Sequence, residues 1–403
     1  MKILFVADVS IGHVASGAER VLYEHATRLA QRGHAVHILT RRLPEHEAEM
    51  AAFNGIREWR YSFPSKKLRH LWKSTFIDCR QLYSSLARTY SFDIINTYQP
   101  LSGLGVLFSW PTPAVPRIYT CFSFAFEEYA SRKSPPSNSR DWLLFQAQLL
   151  GRKLVEKTLL KRSPRILVLS DYTRKRLNEV YGLRGPKITV IPGGVDIDRF
   201  RPVAKKAPIR HHLGIPEDSA ILFTVRNLEP RMGLENLILA FKVVVEKRPD
   251  TFLVLGGKGP LEPELRDLVR DCGLADLVRF TGYIAEDTLP AYYQMADLFI
   301  LPTLDLEGFG LVTVEALASG LPVLGTPVGG TREILAHMGP EFLFADTTPE
   351  SMASLILESV QTWAGDPQAY RQISKKCRRV AEHYYSWEAH ITQLESVFQN
   401  SGA

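Results

Sequence analysis

The stretch Leu304-Asp305-Leu306-Glu307-Gly308-Phe309-Gly310-Leu311-Val312-Thr313-Val314-Glu315 sets two glutamates around a glycine-rich turn, with seven residues between them. An apolar run ends near Leu301-Pro302, and a helix is expected to begin around Leu311. A turn that opens a helix leaves backbone N–H groups free, and those can hold a phosphate. Glu307 then faces whatever sits in front of the helix, and Glu315 reaches it from one turn deeper. Carboxylates beside an anion site call for a reason, and the hydroxyls of a sugar or ribose supply one. The same spacing also allows a plainer reading, with Glu307 complementing the helix dipole and Glu315 on a solvated face.

Arg226 and Arg231 follow the strand expected at Ile221–Val225. Their guanidinium forks could grip a diphosphate, or they could be two surface arginines on a strand–helix loop. Ser16-Gly17-Ala18-Glu19 follows the first expected strand, where Gly17 and Ala18 would let backbone approach a phosphate or sugar. Leu255-Gly256-Gly257-Lys258-Gly259-Pro260 is a further strand-end turn, with Lys258 read as a loop lysine. Neither Gly-x-Gly-x-x-Gly nor Gly-Lys-Ser/Thr occurs, which excludes the dinucleotide fingerprint and the P-loop.

These turns need strands and helices to hold them. Met1–Ala7, Val36–Leu39, Asp93–Asn96, Arg117–Thr120, Ile166–Leu169 and Ile188–Ile191 read as strands, mostly separated by helical segments such as Glu19–Arg32. Residues 201–219, rich in Pro and charge, read as a linker. A second series follows at Ile221–Val225, Thr251–Leu255, Val278–Phe280, Leu298–Leu301, Pro322–Leu324 and Phe342–Phe344, with helices at Leu234–Lys247, Pro263–Asp271 and Val314–Ala318. From about Pro349 the chain reads as helical, broken near Gly365-Asp366-Pro367. Strands alternating with helices predict an α/β fold of two doubly wound parallel sheets. Such sheets bind ligands at the carboxyl ends of their strands, so two facing sheets would enclose a cleft.

At 403 residues and 45% hydrophobic, the chain can fill two ordinary cores. No run of about 18 uncharged apolar residues occurs, so no membrane-spanning helix is expected. The start reads as a buried strand rather than a signal peptide. Cys79, Cys121, Cys272 and Cys377 lie far apart, against a zinc ribbon, a redox pair or a disulfide framework, and fit a reducing cytoplasm. The net charge of +6 is divided: residues 1–200 hold 30 Lys/Arg against 17 Asp/Glu, and the rest 19 against 26. The first half could therefore meet something anionic, or be merely basic on its surface.

Taken in chain order, these features resemble the family 4 retaining glycosyltransferases of the GT-B fold. The resemblance runs through Ser16-Gly17-Ala18-Glu19, Pro192-Gly193-Gly194-Val195-Asp196, Val225-Arg226 through Gly233, and Glu307 through Glu315. It implies an acceptor-side Rossmann-like domain at 1–203, a nucleotide-sugar domain at 204–383, and a helix at 384–403, including Tyr385-Ser386-Trp387, that crosses back onto the first. It implies that Glu315 binds the ribose hydroxyls and that Arg226 holds the diphosphate. Gly308, Phe309, Gly310, Leu311 and Val312 would supply the turn and its amides. Glu307 would contact the donor sugar, and Tyr283 and Ile284 would contact the base through their backbone. No metal and no cofactor is expected, since arginine and a helix terminus would neutralise the charge.

Two departures from the family pattern stand out. Its usual lysine falls on Met232, where neighbouring Arg231 could take over. Its usual histidine of the first domain falls on Phe122, inside the apolar Cys121-Phe122-Ser123-Phe124-Ala125-Phe126. Either the enzyme works without that contact, or His13 of the first glycine loop substitutes, or transfer is lost.

The resulting expectation is a retaining hexosyltransferase that moves a sugar from a nucleotide-diphosphate donor, UDP-sugar before GDP-mannose, to a glycan or polyprenyl-linked glycan acceptor. The alternative is a catalytically silent sugar-nucleotide-binding protein of a glycan-assembly complex. Ser65–Lys73, with cations interleaved among Leu68, Leu71 and Trp72, could lie on an anionic membrane or pack as an ordinary amphipathic helix. The expected location is the cytoplasm, with peripheral attachment to the inner membrane face as an option. The loop Arg132–Arg140 could close over an acceptor or be a passive insertion. No nucleic-acid partner is expected, for no stacking platform or helix-turn-helix signal accompanies the charge.

Overall fold

The computed structural model describes residues 1–12, 17–43, 48–61, 74–109, 115–133 and 138–401. His13, Ser16, the segment Ser65–Lys73 and residues 134–137 of the Arg132–Arg140 loop lie outside the described residues. The chain divides into two compact units, Met1–Pro192 with Glu388–Ala403, and Gly193–Trp387.

The first unit holds an eight-stranded sheet: β1 (Lys2–Val6), β2 (Ala35–Arg41), β3 (Met50–Phe53), β4 (Ile56–Tyr61), β5 (Ile94–Thr97), β6 (Arg117–Cys121), β7 (Arg165–Val168) and β8 (Ile188–Val190). Their order is β3-β4-β2-β1-β5-β6-β7-β8, parallel throughout except for the pair β3–β4. Central strands of a parallel sheet are covered on both faces, so they read as unbroken apolar runs. Ile3, Leu4, Phe5 and Val6 accordingly have no exposed surface.

The hairpin β3–β4 was not among the expected strands. Its turn is Asn54-Gly55, both with positive φ (47° and 82°), the backbone that joins twisted antiparallel strands most directly. Polar substituents obscure its alternation, because the inward position 58 carries a glutamate. Buried Glu58 accepts hydrogen bonds from Ser10 Oγ (2.9 Å), Ile11 N (3.2 Å) and Arg60 Nε (2.7 Å), and so ties the loop after β1 to the sheet edge.

The second unit holds β9 (Ala220–Val225), β10 (Thr251–Gly256), β11 (Val278–Gly282), β12 (Leu298–Leu301) and β13 (Val323–Gly325), in the all-parallel order β11-β10-β9-β12-β13. Phe342–Phe344, expected as a strand, instead forms a short 3₁₀ turn at Pro340–Phe342, after which Leu343 makes a single bridge to Gly325. The segment 201–219, expected as a linker, contains the helix Ala207–Leu213. Its buried Arg210 reaches Asp297 (2.6 Å) and Lys206 reaches the same carboxylate (2.8 Å), so this stretch is fastened to the second unit.

The helical tail comprises Pro349–Gly365, Pro367–Tyr384 and Trp387–Gln399. Asp366 caps the middle helix through the amides of Gln368 and Ala369 (both 2.9 Å), with Pro367 at its first position. From Glu388 onward the tail belongs to the first unit. There His390 Nδ1 lies 2.6 Å from the Pro192 carbonyl, which only a protonated nitrogen can approach as donor. His390 Nε2 is then the acceptor in a neutral ring, and accepts a hydrogen bond from the protonated His25 Nε2 at 2.7 Å. His25 Nδ1 in turn accepts from the Tyr98 hydroxyl at 2.6 Å. Burial keeps both rings neutral, lowering His390 to about 4 and His25 well below the ordinary histidine value, and neighbouring His390 disfavours the His25 imidazolium further.

Candidate functional site

Because β9, β10, β11 and β12 run parallel, the loops that leave their carboxyl ends gather along one edge of the second sheet. Backbone hydrogen bonds interlock them: Leu228 N to Lys258 O (3.0 Å), Leu304 N to Arg231 O (2.8 Å) and Gly330 N to Glu307 O (2.8 Å). Two glycines permit the close approach. A Cβ on Gly257 (φ 117°) would lie 1.8 Å from the Arg226 carbonyl oxygen, and one on Gly329 (φ 64°) 2.1 Å from that of Glu307.

These loops bring Arg226, Met232 and Glu307 together. Arg226 Nη2 lies 2.5 Å from Glu307 Oε2 and 2.9 Å from Met232 Sδ. Thr303 donates to the same carboxylate oxygen at 3.3 Å. The two ionic side chains are only 6% and 12% exposed, so each is held against the other in a setting that screens little. The surface-arginine reading is thereby excluded for Arg226. Arg231 does something different: its Nη1 donates to the carbonyl of Leu306 (3.1 Å), a residue in the left-handed region at φ 59°. It braces the loop that carries Glu307.

Gly310 leads into the helix Leu311–Ala318. The hydroxyls of Thr313 and Thr331 face the Gly310 backbone, 3.1 and 3.0 Å from where a Cβ on it would sit, with the Glu307 carboxyl carbon at 3.8 Å. Both hydroxyls are buried, and neither finds a hydrogen-bond partner among the described residues. A buried polar group without a partner is costly, so an acceptor brought by a ligand would be favoured here. Phe309 is buried edge-on to Tyr385 (5.8 Å) and packs where a side chain on Gly193 would clash, which explains the glycine of Pro192-Gly193-Gly194. Gly308 lies against Gly330, whose added Cβ would meet the Gly308 oxygen at 2.7 Å.

Glu315 is 6% exposed and accepts a hydrogen bond from Tyr293 Oη at 2.8 Å, which removes the solvated-face reading. Tyr293 itself stands among Phe200, Phe223 and Phe299. Leu311 and Val312 open the helix at its amide end. Tyr283 is 47% exposed beyond β11, whereas Ile284 is buried beside Gly256. Lys258 is exposed and runs along Gly282, its Cε 3.5 Å from where a Cβ there would sit.

In the first unit, Phe122 follows β6 and stacks on Tyr98 with ring centres 5.5 Å apart, one residue contact from the histidine pair. Gly17 and Ala18 form the first turn of the helix Gly17–Gln31. Sequence reasoning passed over Glu156. Wholly buried, it accepts from Tyr181 Oη (2.6 Å), Tyr119 Oη (3.4 Å) and Ala125 N (3.4 Å), the last at the start of the helix that follows the Phe122 loop. Burial raises its carboxyl to about 7, against hydrogen bonds that lower it. Its signal was the lone acid in the otherwise basic and leucine-rich run 152–162. Tyr293 and Glu58 were also missed, and only their spatial partners reveal them.

Two family models match the chain, glycosyl transferases group 1 over residues 205–380 and glycosyltransferase family 4 over residues 15–199. A GDP-mannose-dependent alpha-(1-6)-phosphatidylinositol monomannoside mannosyltransferase of Mycobacterium tuberculosis is 37% identical over 179 residues, 43% of this chain and 46% of that protein. That match therefore spans about half the relative's length. A D-inositol 3-phosphate glycosyltransferase of Kineococcus radiotolerans is 26% identical over 96% of this chain and 91% of its own. Among solved structures, sucrose-phosphate synthase from Thermosynechococcus elongatus superposes with a TM-score of 0.83 at 23% identity over 99% of both chains, which shows the same fold.

Proposed function

The chain belongs to glycosyltransferase family 4 and has the GT-B fold, and from that premise we propose that it moves a hexose from a nucleotide-diphosphate donor to a hydroxyl of a glycan or lipid-linked glycan. The observation that carries the reading is the buried Arg226–Glu307 pair beside the opening of the helix Leu311–Ala318, with two partnerless hydroxyls facing the same turn. A diphosphate takes its charge neutralisation from Arg226 and from the amides of Gly310, Leu311 and Val312. Once Arg226 turns to phosphate, Glu307 is released to the donor sugar. Glu315, oriented by Tyr293, accepts from the ribose hydroxyls, and the base lies by Tyr283 and Ile284.

The chemistry follows from that placement. The bond between the anomeric carbon and the phosphate oxygen breaks through an oxocarbenium-like state, and Glu307 steadies the positive charge. The departing phosphate accepts the acceptor's proton on the same face, so configuration is retained. Arg226 and the helix terminus stabilise the leaving group without a metal ion. Of the two donor classes expected, GDP-mannose now ranks first, because the relative 37% identical is named for it. The basic first unit supports a phosphorylated, lipid-anchored acceptor presented at the cytoplasmic membrane face.

Phe122 supports a second reading, binding without transfer, since its ring is engaged by Tyr98 and offers no hydrogen bond. One experiment addresses both. The protein is incubated with GDP-mannose and with UDP-sugars, alone and with polyprenyl-diphosphate-linked glycan, and released nucleoside diphosphate is counted. Release that is lost in Glu307→Gln supports transfer. Tight donor binding with no release under any condition supports the silent reading, and undiminished release by Glu307→Gln overturns the mechanism.

A further inference from the structure

The helix Ser139–Arg162 in the first unit buries one side and leaves the other bare. Phe145, Glu156, Leu159 and Leu160 face the interior. Leu143, Leu150 and Leu154 are 62%, 59% and 53% exposed. In sequence, Leu143, Ala147, Leu150, Leu154, Lys157 and Lys161 recur at steps of three and four residues, which aligns them in a single stripe. From Leu143 to Leu154 the stripe runs about 16 Å at the rise of an α-helix. Trp142 and Leu144, also exposed, widen its amino-terminal end. Single exposed leucines are ordinary, but a continuous apolar stripe marks a surface that meets something.

We propose that this stripe docks on an anionic lipid bilayer. The leucines and Trp142 enter the headgroup boundary, while Arg140, Lys157, Lys161 and Arg162, all exposed, meet lipid phosphates. Charge decides the occupant. The helix carries six cations against Asp141 and Glu156. Glu156 is buried, and Asp141 is engaged by the Asn138 side-chain amide at 2.8 Å. A second copy laid on this face, in either direction, would set cations against cations at both ends of the stripe. An anionic bilayer complements both the leucines and the charge. The surface deepens the lipid-linked acceptor reading and rests on it for its purpose, since it would hold the first unit where such an acceptor lies. Attachment itself is measured without turnover.

The full chain is sedimented with vesicles of phosphatidylglycerol mixed with phosphatidylcholine, and with vesicles of phosphatidylcholine alone. Binding is expected to the anionic vesicles and to fall with added salt. Replacing Leu143, Leu150 and Leu154 by Ser, or in a separate variant Lys157 and Lys161 by Glu, is expected to weaken it by at least about tenfold. Both variants are expected to keep the wild-type circular dichroism spectrum and nucleotide titration. Equal binding to both vesicle types, or unchanged binding by both variants, overturns the proposal. So does a stripe variant that converts a dimer to a monomer in sedimentation velocity, which would assign the face to a second copy. Loss of nucleotide binding with vesicle binding intact would instead count against the proposed function alone.

Discussion

Glu156→Gln tests whether a buried carboxyl in the first unit sets the pH dependence of its stability. Glu156 has three hydrogen-bond donors around it, and nearby Glu127 adds negative charge. Its carboxyl is raised from 4.5 to about 7. Below pH 4.5 it carries its proton both folded and unfolded, and its contribution is complete. As pH rises, the unfolded chain ionises freely while the buried group keeps its proton, so folding loses free energy until pH passes 7. The full loss is about 3 kcal/mol, from the linkage between a shift of this size and stability. The glutamine amide can still accept from Tyr181 but strands an N–H, which costs about 1 kcal/mol at every pH. Wild type should therefore be the more stable protein at pH 4, the two should be nearly equal at pH 5, and the variant should be the more stable at pH 8. Urea unfolding of both proteins at each pH measures this, and subtracting one from the other cancels the groups they share. A difference that stays constant from pH 5 to pH 8 would refute the reasoning.

Two further outcomes follow from the geometry. Arg226→Ala should weaken nucleoside-diphosphate binding by about 2 kcal/mol, the cost of a lost charged partner, as read by calorimetric titration. The histidine pair works in the opposite pH direction from Glu156: His390 is lowered from 6.5 to about 4, so its contribution is complete above pH 6.5 and is lost as pH falls through 4. His390→Gln should flatten that acid limb in a thermal melt, and an unchanged limb would exclude the pair as its source.

How much of this was visible in the residues depends on what held each element. Strands with unbroken apolar runs, such as Ile3–Val6 and Leu298–Leu301, announced themselves, and so did the helix after Gly310. The hairpin at Asn54-Gly55 carried the strongest short turn signal in the chain, yet its strands were passed over because Glu58 sits where an apolar residue would be expected. Phe342–Phe344 failed for the converse reason: its phenylalanines are buried, but Pro340 and its 3₁₀ turn leave only Leu343 to bridge a strand. At the candidate site, the residue types and their spacing marked Arg226, Glu307 and Glu315. No spacing could show that Arg226 already holds Glu307, that Arg231 turns to the Leu306 carbonyl, or that Tyr293 supports Glu315. Those are contacts between loops from different strands.

The return of Glu388 and the residues after it to the first unit bears on how the protein is made. During translation, β1 and its neighbours emerge early, but His390, which completes the chain from Tyr98 through His25 to Pro192, emerges only after the whole second unit. Until then His25 lacks the acceptor for its ring proton, and Arg32 lacks Glu395. The first unit therefore cannot reach its final stability as an amino-terminal fragment on the ribosome. Its last step is a contact across more than three hundred residues of chain, the kind of closure that slows folding and prolongs exposure of apolar surface.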